Sequence, residues 1–565
     1  MGVLQNLSGA RGSMELTFDS TSLLRAVLVG VIGLPVILIL VDYIRVLRLR
    51  QKLPPGPFPL PLFGNFFQIP KVKPWIDFEK WSEYYKDPMI TIWQGHRPTI
   101  MCNDIWTISD LLDKRANIYS SRPHMIAMGD MINATDSNQV CLVYGDKWRL
   151  HRRLMHSATG SQAIRPWRVI QANESKVLVR DLLDRPDDFV MSVERYSCSI
   201  VSIIGWGRRI DKINDYVAQM ALKSMEGVDL IIPGLFIVES IPFLAKLPKW
   251  LDWIYPMPGK MKNFAKHMQR QFWNSCRGGP RLMVTRRYFV ALSKEGAQAP
   301  EDNFAKRLFK EQEQSHIADE EISSLTSNLI GGGVDTTSGT IISFILAMCV
   351  FPDKLKKAQE ELDQVVGQDR VPDWSDEPSL PYVKAVVNET LRWRTVTILG
   401  GIPHAPIQDD EYRGYLIPKG TPITGNVWAI HRHPREFPEP DNFRPERYLG
   451  GLERPYPNKQ GHNAFGWGRR QCSGQPLAEQ GLFLTIATLL WAFDFKPGLD
   501  ENGKEVKLNI FAYTKSENMR PEPFKARFIP RSKGVENIIR QEATRARKEL
   551  CAYDGETRLT MENVS

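Results

Sequence analysis

Cysteine is scarce in this chain: seven in 565 residues, an odd number, scattered singly. That pattern excludes a disulfide framework and points to a reducing, cytosol-facing body. No finger, helix-turn-helix or basic-aromatic module is present, so the formal charge of +9 is not read as a nucleic-acid footprint. It is read as a match for an acidic protein partner or an anionic membrane surface. The remaining composition, with 42% hydrophobic and 24% charged residues and 15 tryptophans, is ordinary for a globular protein. Disorder over most of the length is thereby excluded.

Charge-free apolar length is also rare, and the N-terminus holds it. Ala26 to Val41 carries no charge and is mostly Leu, Ile and Val. Extended from Ser22 to Ile44, with Arg25 snorkelling, it is long enough to span a bilayer. A signal peptide is the alternative, but no small-residue cleavage site follows. Arg45, Arg48, Arg50 and Lys52 come next and place that side in the cytosol. The expected order is a lumenal tail over 1–21, a transmembrane anchor over 22–44 that Pro35 kinks, and a basic, Pro-rich hinge over 45–62. The prolines from Leu53-Pro54-Pro55-Gly56 to Pro61 predict a stiff, extended spacer.

The stretch Phe465-Gly466-Trp467-Gly468-Arg469-Arg470-Gln471-Cys472-Ser473-Gly474 precedes an apolar helical run, Leu477 to Phe493. Cys472 thus lies just ahead of a helix N-terminus, where free N–H groups favour a thiolate. One thiolate with no second Cys or His nearby does not suit zinc. It suits an axial haem ligand, since a porphyrin supplies the in-plane donors. Arg470 offers a cation for a propionate, and the glycines allow close approach of a flat ring. A Gly-rich loop with an inert cysteine remains open on these residues alone.

Asp319 to Cys349 reads as one helix with an odd centre, Gly331-Gly332-Gly333-Val334-Asp335-Thr336-Thr337. Each glycine costs a helix about 1 kcal/mol against alanine. A widening that lets something pack on bare backbone explains them, and so does a simple kink. Trp148 and Arg152, at i and i+4, share a helix face, and Glu389 and Arg392, at i and i+3, can pair.

These stretches together resemble the cytochrome P450 family. Its haem-binding signature is met at Phe465, Gly468, Arg470, Cys472 and Gly474, and its oxygen-groove motif at Gly332, Gly333, Asp335 and Thr336. Glu389 and Arg392 match its Glu-x-x-Arg, and Arg447 in Phe443-Arg444-Pro445-Glu446-Arg447 is the implied third member of a buried structural network. The resemblance implies a mainly α fold with a smaller β-rich subdomain over 63–530, holding haem b on the Cys472 thiolate between two long helices. It implies that Trp148, Arg152 and His404 contact propionates, that Thr336 bonds dioxygen or its water, and that Asp335 relays protons. Residues 120–142, 395–400 and 508–516 are expected around the pocket, and apolar 224–256 as a lid that dips into the bilayer.

The implied activity is monooxygenation of a lipophilic small molecule at the endoplasmic reticulum membrane. No flavin or nicotinamide segment is recognisable, so NADPH-cytochrome P450 reductase is the expected electron donor, with cytochrome b5 as a second. Arg149, Arg153 and Arg469 form the basic face for them. Gly401-Ile402-Pro403-His404-Ala405 and Trp428 to Pro434 are similar to fungal microsomal members such as O-methylsterigmatocystin oxidoreductase, which implies secondary metabolism. An isomerase or dehydratase that does not use O2, a detoxifying enzyme and a haem sensor are the rivals. The charged 531–565 segment is expected to be helical around Val535–Leu550 and otherwise disordered.

Overall fold

A computed structural model describes residues 30, 33–131, 135–136, 138–225, 229, 231–246 and 280–560. The chain divides into two units, residues 1–51 and 52–565. The expected 1–21 tail, the start of the 22–44 segment, and Ile132, Trp250, Leu251 and Trp253 lie outside the described residues.

In the first unit Leu34–Arg50 is a helix with Pro35 in its first turn, where a missing N–H is harmless, and Arg48 and Arg50 in its last. Leu34, Val36, Ile37, Leu38, Leu40, Val41 and Ile44 are exposed along it. Among the described residues one helix, Asp319–Val350, is long and apolar enough to cross a membrane, and most of its apolar window is buried. It is a core helix.

The second unit is mainly helical with three small sheets among the described residues. Asp319–Val350 runs unbroken through its glycines and packs along Phe189–Trp206. The glycines are not equivalent. A Cβ on Gly333 would stand 2.3 Å from Val201 Cγ1, and one on Gly331 would stand 3.1 Å from Met225 Sδ. A Cβ on Gly332 would meet nothing within 4 Å. Two glycines therefore admit neighbouring helices and the third faces open space. Gln475–Ala492, buried nearly throughout, packs against Asp319–Val350 and against Arg168–Asp184.

Met89–Gln94 and Arg97–Cys102 pair antiparallel around Gly95-His96, as the alternation in that region predicts, and Ile423–Gly425 adds a parallel strand. The Pro-rich stretch is not a free spacer. Thr91 donates its N–H to the Pro55 carbonyl (2.8 Å) and its hydroxyl to the Pro54 carbonyl (2.7 Å). A Cβ on Gly56 would lie 2.0 Å from the Thr91 oxygen, so the segment is laid directly on the hairpin.

The C-terminal segment also departs from expectation. Lys533–Leu550 is a helix, as predicted, but it packs on Arg168–Asp184 and buries Val535, Ile539, Ala543, Ala546 and Leu550. Beyond it Tyr553 accepts the Arg209 N–H through its carbonyl, and the Thr557 hydroxyl donates to Glu295. The charges that suggested disorder form the helix's outer face and its ion pairs, such as Lys176–Glu542 at 2.6 Å.

Glu389 and Arg392 form a two-bond pair, both bonds 2.8 Å, with neither side chain exposed. Arg447 Nε approaches Glu389 to 3.5 Å, and the Arg444 N–H donates to the same carboxylate at 2.8 Å. Arg392 also donates to the carbonyls of His431 and Pro440, which anchors the chain leading to the cysteine loop.

Candidate active site

The cysteine loop closes on itself, with the Cys472 N–H donating to the Phe465 carbonyl at 2.9 Å. Gly466 and Gly468 take positive φ values of 76° and 54°, which favour glycine. Their roles differ. A Cβ on Gly468 would lie 2.1 Å from the Leu112 carbonyl oxygen, so this glycine seats the loop on the 110–114 turn. Gly466 lines a cavity and has open space where its Cβ would be.

That cavity, about 680 Å³, gathers most of the predicted residues. Cys472, Phe465 and Gly474 border it on the loop side, and Gly332 and Thr336 on the long helix. Trp148, Arg152, His404 and Arg470 lie on its rim, and so does Arg122, which no local sequence signal singled out. Thr395, Val396 and Thr397 contribute as expected, but from the C-terminal turn the lining residue is Asn518 rather than Ile510 to Tyr513. The loop over 120–142 contributes Met128, Val140 and Cys141. Of the expected lid, Ile232, Phe236 and Val238 are buried, the latter two packed with Met125, Ile126 and Met128, while Phe243 is 67% exposed.

Cys472 opens to the cavity, yet protein encloses it on the other sides. Burial pushes its thiol pKa up, against the opposing pull of the Gly474 N–H, the Arg152 charge and the Gln475 N–H. The two N–H groups at the start of the following helix and the Arg152 charge are the influences that favour the thiolate expected there.

The rim has the opposite imbalance. Arg470 donates to the carbonyls of Ser120 and Leu142, both at 2.7 Å, and its third nitrogen, Nη1, has no partner. Its guanidinium stacks 4.4 Å from the Trp148 ring, whose Nε1 is also unpartnered. Arg122 is 9% exposed and donates only to the carbonyls of Val140, Ile402 and Pro403. Among the described residues no carboxylate pairs with Arg122, Arg152 or Arg470. Burial pushes Arg470 down to about 8, helped by the charges of Arg122 and Arg152, and pushes Arg122 down to about 10. Buried cations without a counter-charge are costly, so this rim is built for an anionic ligand.

His404 Nδ1 lies 3.0 Å from the Tyr119 carbonyl, which can only accept. Nδ1 therefore carries a proton, and burial with the nearby Arg122 holds the ring's pKa well below the usual value, which favours the neutral form with Nε2 as an acceptor. It can donate to an anion through Nε2 only as imidazolium. His431 is fixed as a structural neutral ring, donating from Nδ1 to the Arg392 carbonyl (3.1 Å) and accepting the Asn463 N–H at Nε2 (2.9 Å).

The Thr336 hydroxyl donates to the Gly332 carbonyl at 2.6 Å on the cavity wall. Asp335 is not on that wall. Burial holds its carboxyl above the usual range against the opposing pull of the charge of Arg520, which pairs with Glu194. On the outer surface the Arg149 and Arg469 guanidiniums each lie 5.4 Å from the Tyr144 ring, which brings these two charges to one face.

A cysteine sulfur, a bare glycine on the long helix and a rim of unpaired cations border one cavity and together fit an anionic metal cofactor. The chain belongs to the cytochrome P450 family, whose model matches residues 54–519. Members of that family bind haem through a cysteine thiolate, and here Cys472 is that ligand. Its relatives are named monooxygenases. It is 35% identical to cytochrome P450 monooxygenase 105 of Postia placenta, over 86% of this chain and 90% of that protein. It is 35% identical to monooxygenase fogE of Aspergillus ruber, over 85% and 87% of the two chains. Tryptamine 4-monooxygenase of Psilocybe cyanescens is 33% identical over 86% and 94%. A zebra fish cytochrome P450 solved with abiraterone shares the fold, with a TM-score of 0.63 and 23% identity over 81% of this chain and all of that one.

Proposed function

We propose that this protein is a membrane-anchored fungal monooxygenase that inserts oxygen into a lipophilic small molecule of secondary metabolism. The observation that carries the reading is the pairing of an enclosed thiol with a separate rim of uncompensated guanidiniums around one cavity. Those residues fit haem b: Cys472 would hold the iron through its thiolate, and Arg122, Arg152, Arg470 and Trp148 Nε1 would hold the propionates, joined by His404 once protonated. Haem bound there supplies reductive activation of dioxygen, which thiolate donation promotes.

The chain's own part is positioning and proton handling. Thr336 presents a hydroxyl at the wall, oriented by the Gly332 carbonyl. Asp335, next to it in the helix, has its carboxyl held above the usual range by burial, as suits an acid that exchanges a proton. Val396, Thr397, Ile402 and Met128 supply the mostly apolar surface that selects the substrate by shape.

The exposed apolar side chains of Leu34–Arg50 support an anchor over 22–44 in the endoplasmic reticulum membrane, with Arg45 to Lys52 on the cytosolic side. Residues 63–530 are then the cytosolic catalytic domain. Arg149, Arg153 and Arg469 suit an acidic NADPH-cytochrome P450 reductase, with cytochrome b5 as a second donor.

Growth of the source cells with and without the gene under labelled dioxygen, followed by untargeted mass spectrometry, tests the reading. A product that disappears with the gene and carries the label supports it. A lost product without label points instead to an isomerase, a dehydratase or a desaturating reaction.

A further inference from the structure

Glu517 is fully buried, and it hydrogen-bonds to two segments distant from it in sequence. One carboxyl oxygen, Oε1, accepts the N–H groups of Leu399 (3.1 Å) and Gly401 (3.2 Å). The Glu517 carbonyl accepts the Ile398 N–H at 3.1 Å, and two residues on the Met519 N–H donates to the Val396 carbonyl at 2.8 Å. The Glu517 N–H donates to Asp229 Oδ1 at 2.7 Å, and the Asp229 carbonyl accepts the Ile232 N–H. The second carboxyl oxygen, Oε2, has no partner among the described residues.

What Glu517 holds is cavity wall. Val396, Thr397, Gly400, Gly401 and Ile402 line the cavity, while Glu517 itself does not. Gly400 and Gly401 take positive φ values of 71° and 79°, so this part of the wall is built from the residues whose backbone is least restricted. A Cβ on Gly400 would lie 2.5 Å from Trp467 Cζ3, so the turn presses against a side chain of the cysteine loop. A flexible turn in such close contact needs its N–H groups fixed, and the carboxyl supplies the acceptor for two of them. Burial pushes that carboxyl up to about 8, against the pull of the Gly401 and Leu399 N–H groups and with the Asp229 charge adding to it. It is thus mostly protonated at neutral pH, and a glutamine amide, neutral and with the same oxygen acceptor, mimics it.

We propose that Glu517 is a positioning residue for substrate selection: its carboxyl sets the shape of the 396–402 wall against which a lipophilic small molecule packs. The inference rests on the monooxygenase reading for what the cavity admits, but neither arm of its test needs turnover.

The full-length holoenzyme is compared as wild type, Glu517→Ala and Glu517→Gln. Loss of the acceptor for two N–H groups is expected to speed amide hydrogen exchange in the 396–402 peptide about tenfold in Glu517→Ala, while Glu517→Gln stays within about threefold of wild type. Clotrimazole, a bulky imidazole that packs against the wall, and imidazole, too small to reach it, are titrated by the absorbance change on haem coordination. A wall that is no longer preorganised should raise the clotrimazole dissociation constant about threefold to tenfold in Glu517→Ala, with imidazole changed by less than about twofold and Glu517→Gln close to wild type for both. Glu517→Asp, one methylene short of the two N–H groups, replaces Glu517→Ala in both arms if the latter loses haem. Unchanged exchange overturns the inference, and so does a Glu517→Gln variant as impaired as Glu517→Ala. Faster exchange with unchanged clotrimazole binding, or an equal weakening of both ligands, overturns the role in substrate selection. A protein that meets every expectation here but never labels its product loses the monooxygenase reading and keeps the Glu517 assignment.

Discussion

Alanine at Gly332 and at Gly333 should have opposite effects on stability, although the two positions are neighbours in one helix. Either substitution removes a helix-interior glycine and gains about 1 kcal/mol of intrinsic helix stability. At Gly332 no neighbouring protein segment opposes the gain, because the new methyl meets none within 4 Å. At Gly333 it would stand 2.3 Å from Val201 Cγ1, more than an ångström inside ordinary contact. Val201 is 4% exposed, and a β-branched side chain in a helix has essentially one χ1 well, so it cannot turn aside. Overpacking costs about 1–3 kcal/mol and so close an approach falls in the upper part of that range, leaving Gly333→Ala less stable by about 1–2 kcal/mol after the helix gain. Val201→Ala loses buried methyl groups on its own. Combined with Gly333→Ala, it makes room for the methyl and should be less damaging than the two single effects added, by about 1–2 kcal/mol. Denaturant midpoints of the full-length holoenzyme, read by near-ultraviolet circular dichroism, measure all four variants. Gly333→Ala as stable as the wild type, or strict additivity with Val201→Ala, would refute the close-approach argument.

Removal of the negative charge in Glu389→Gln leaves Arg392 and Arg447 buried without a counter-ion, and should cost about 3–5 kcal/mol in the same assay. Arg470→Gln and Arg122→Gln each remove part of the anion rim, so the haem dissociation rate measured with a haem-scavenging globin should rise about tenfold for each, while the thiolate spectrum of loaded protein stays. Unchanged dissociation in both variants would contradict the rim assignment. Arg469→Glu, with the side chain on the outer face beside Tyr144, should slow stopped-flow reduction by the reductase at low salt and converge toward wild type at high salt, with haem content intact. A rate independent of both charge and salt would remove that surface from the electron-transfer account.

What the sequence made legible was local. The cysteine loop, the glycine-centred helix, the Glu389–Arg392 pair and the Met89–Cys102 hairpin each depend on spacings of a few residues, and each forms as read. The misreadings lie where distant segments decide. Nothing near Pro54 and Pro55 shows that Thr91, 37 residues from Pro54, will claim their carbonyls. The C-terminal helix does carry a readable stripe at Val535, Ile539, Ala543, Ala546 and Leu550, but its density of charge masked it, and the receiving face lies on Arg168–Asp184. Arg122 and Asn518 stand in no motif, and both matter because of what approaches them from elsewhere in the chain. The motif around Asp335 fixed its place on the helix, while the Arg520 charge that acts on it comes from a segment nearly two hundred residues further on.

The central claim is that the enclosed Cys472 sulfur is the haem ligand, and the absorbance spectrum of the reduced, carbon monoxide-bound full-length protein tests it most directly. The account predicts the red-shifted band of thiolate-ligated haem in the wild type. In Cys472→His it predicts retained haem with the band at the shorter wavelength of imidazole ligation. A thiolate-type band that persists in Cys472→His, or one that never forms in a haem-loaded wild type, would contradict it.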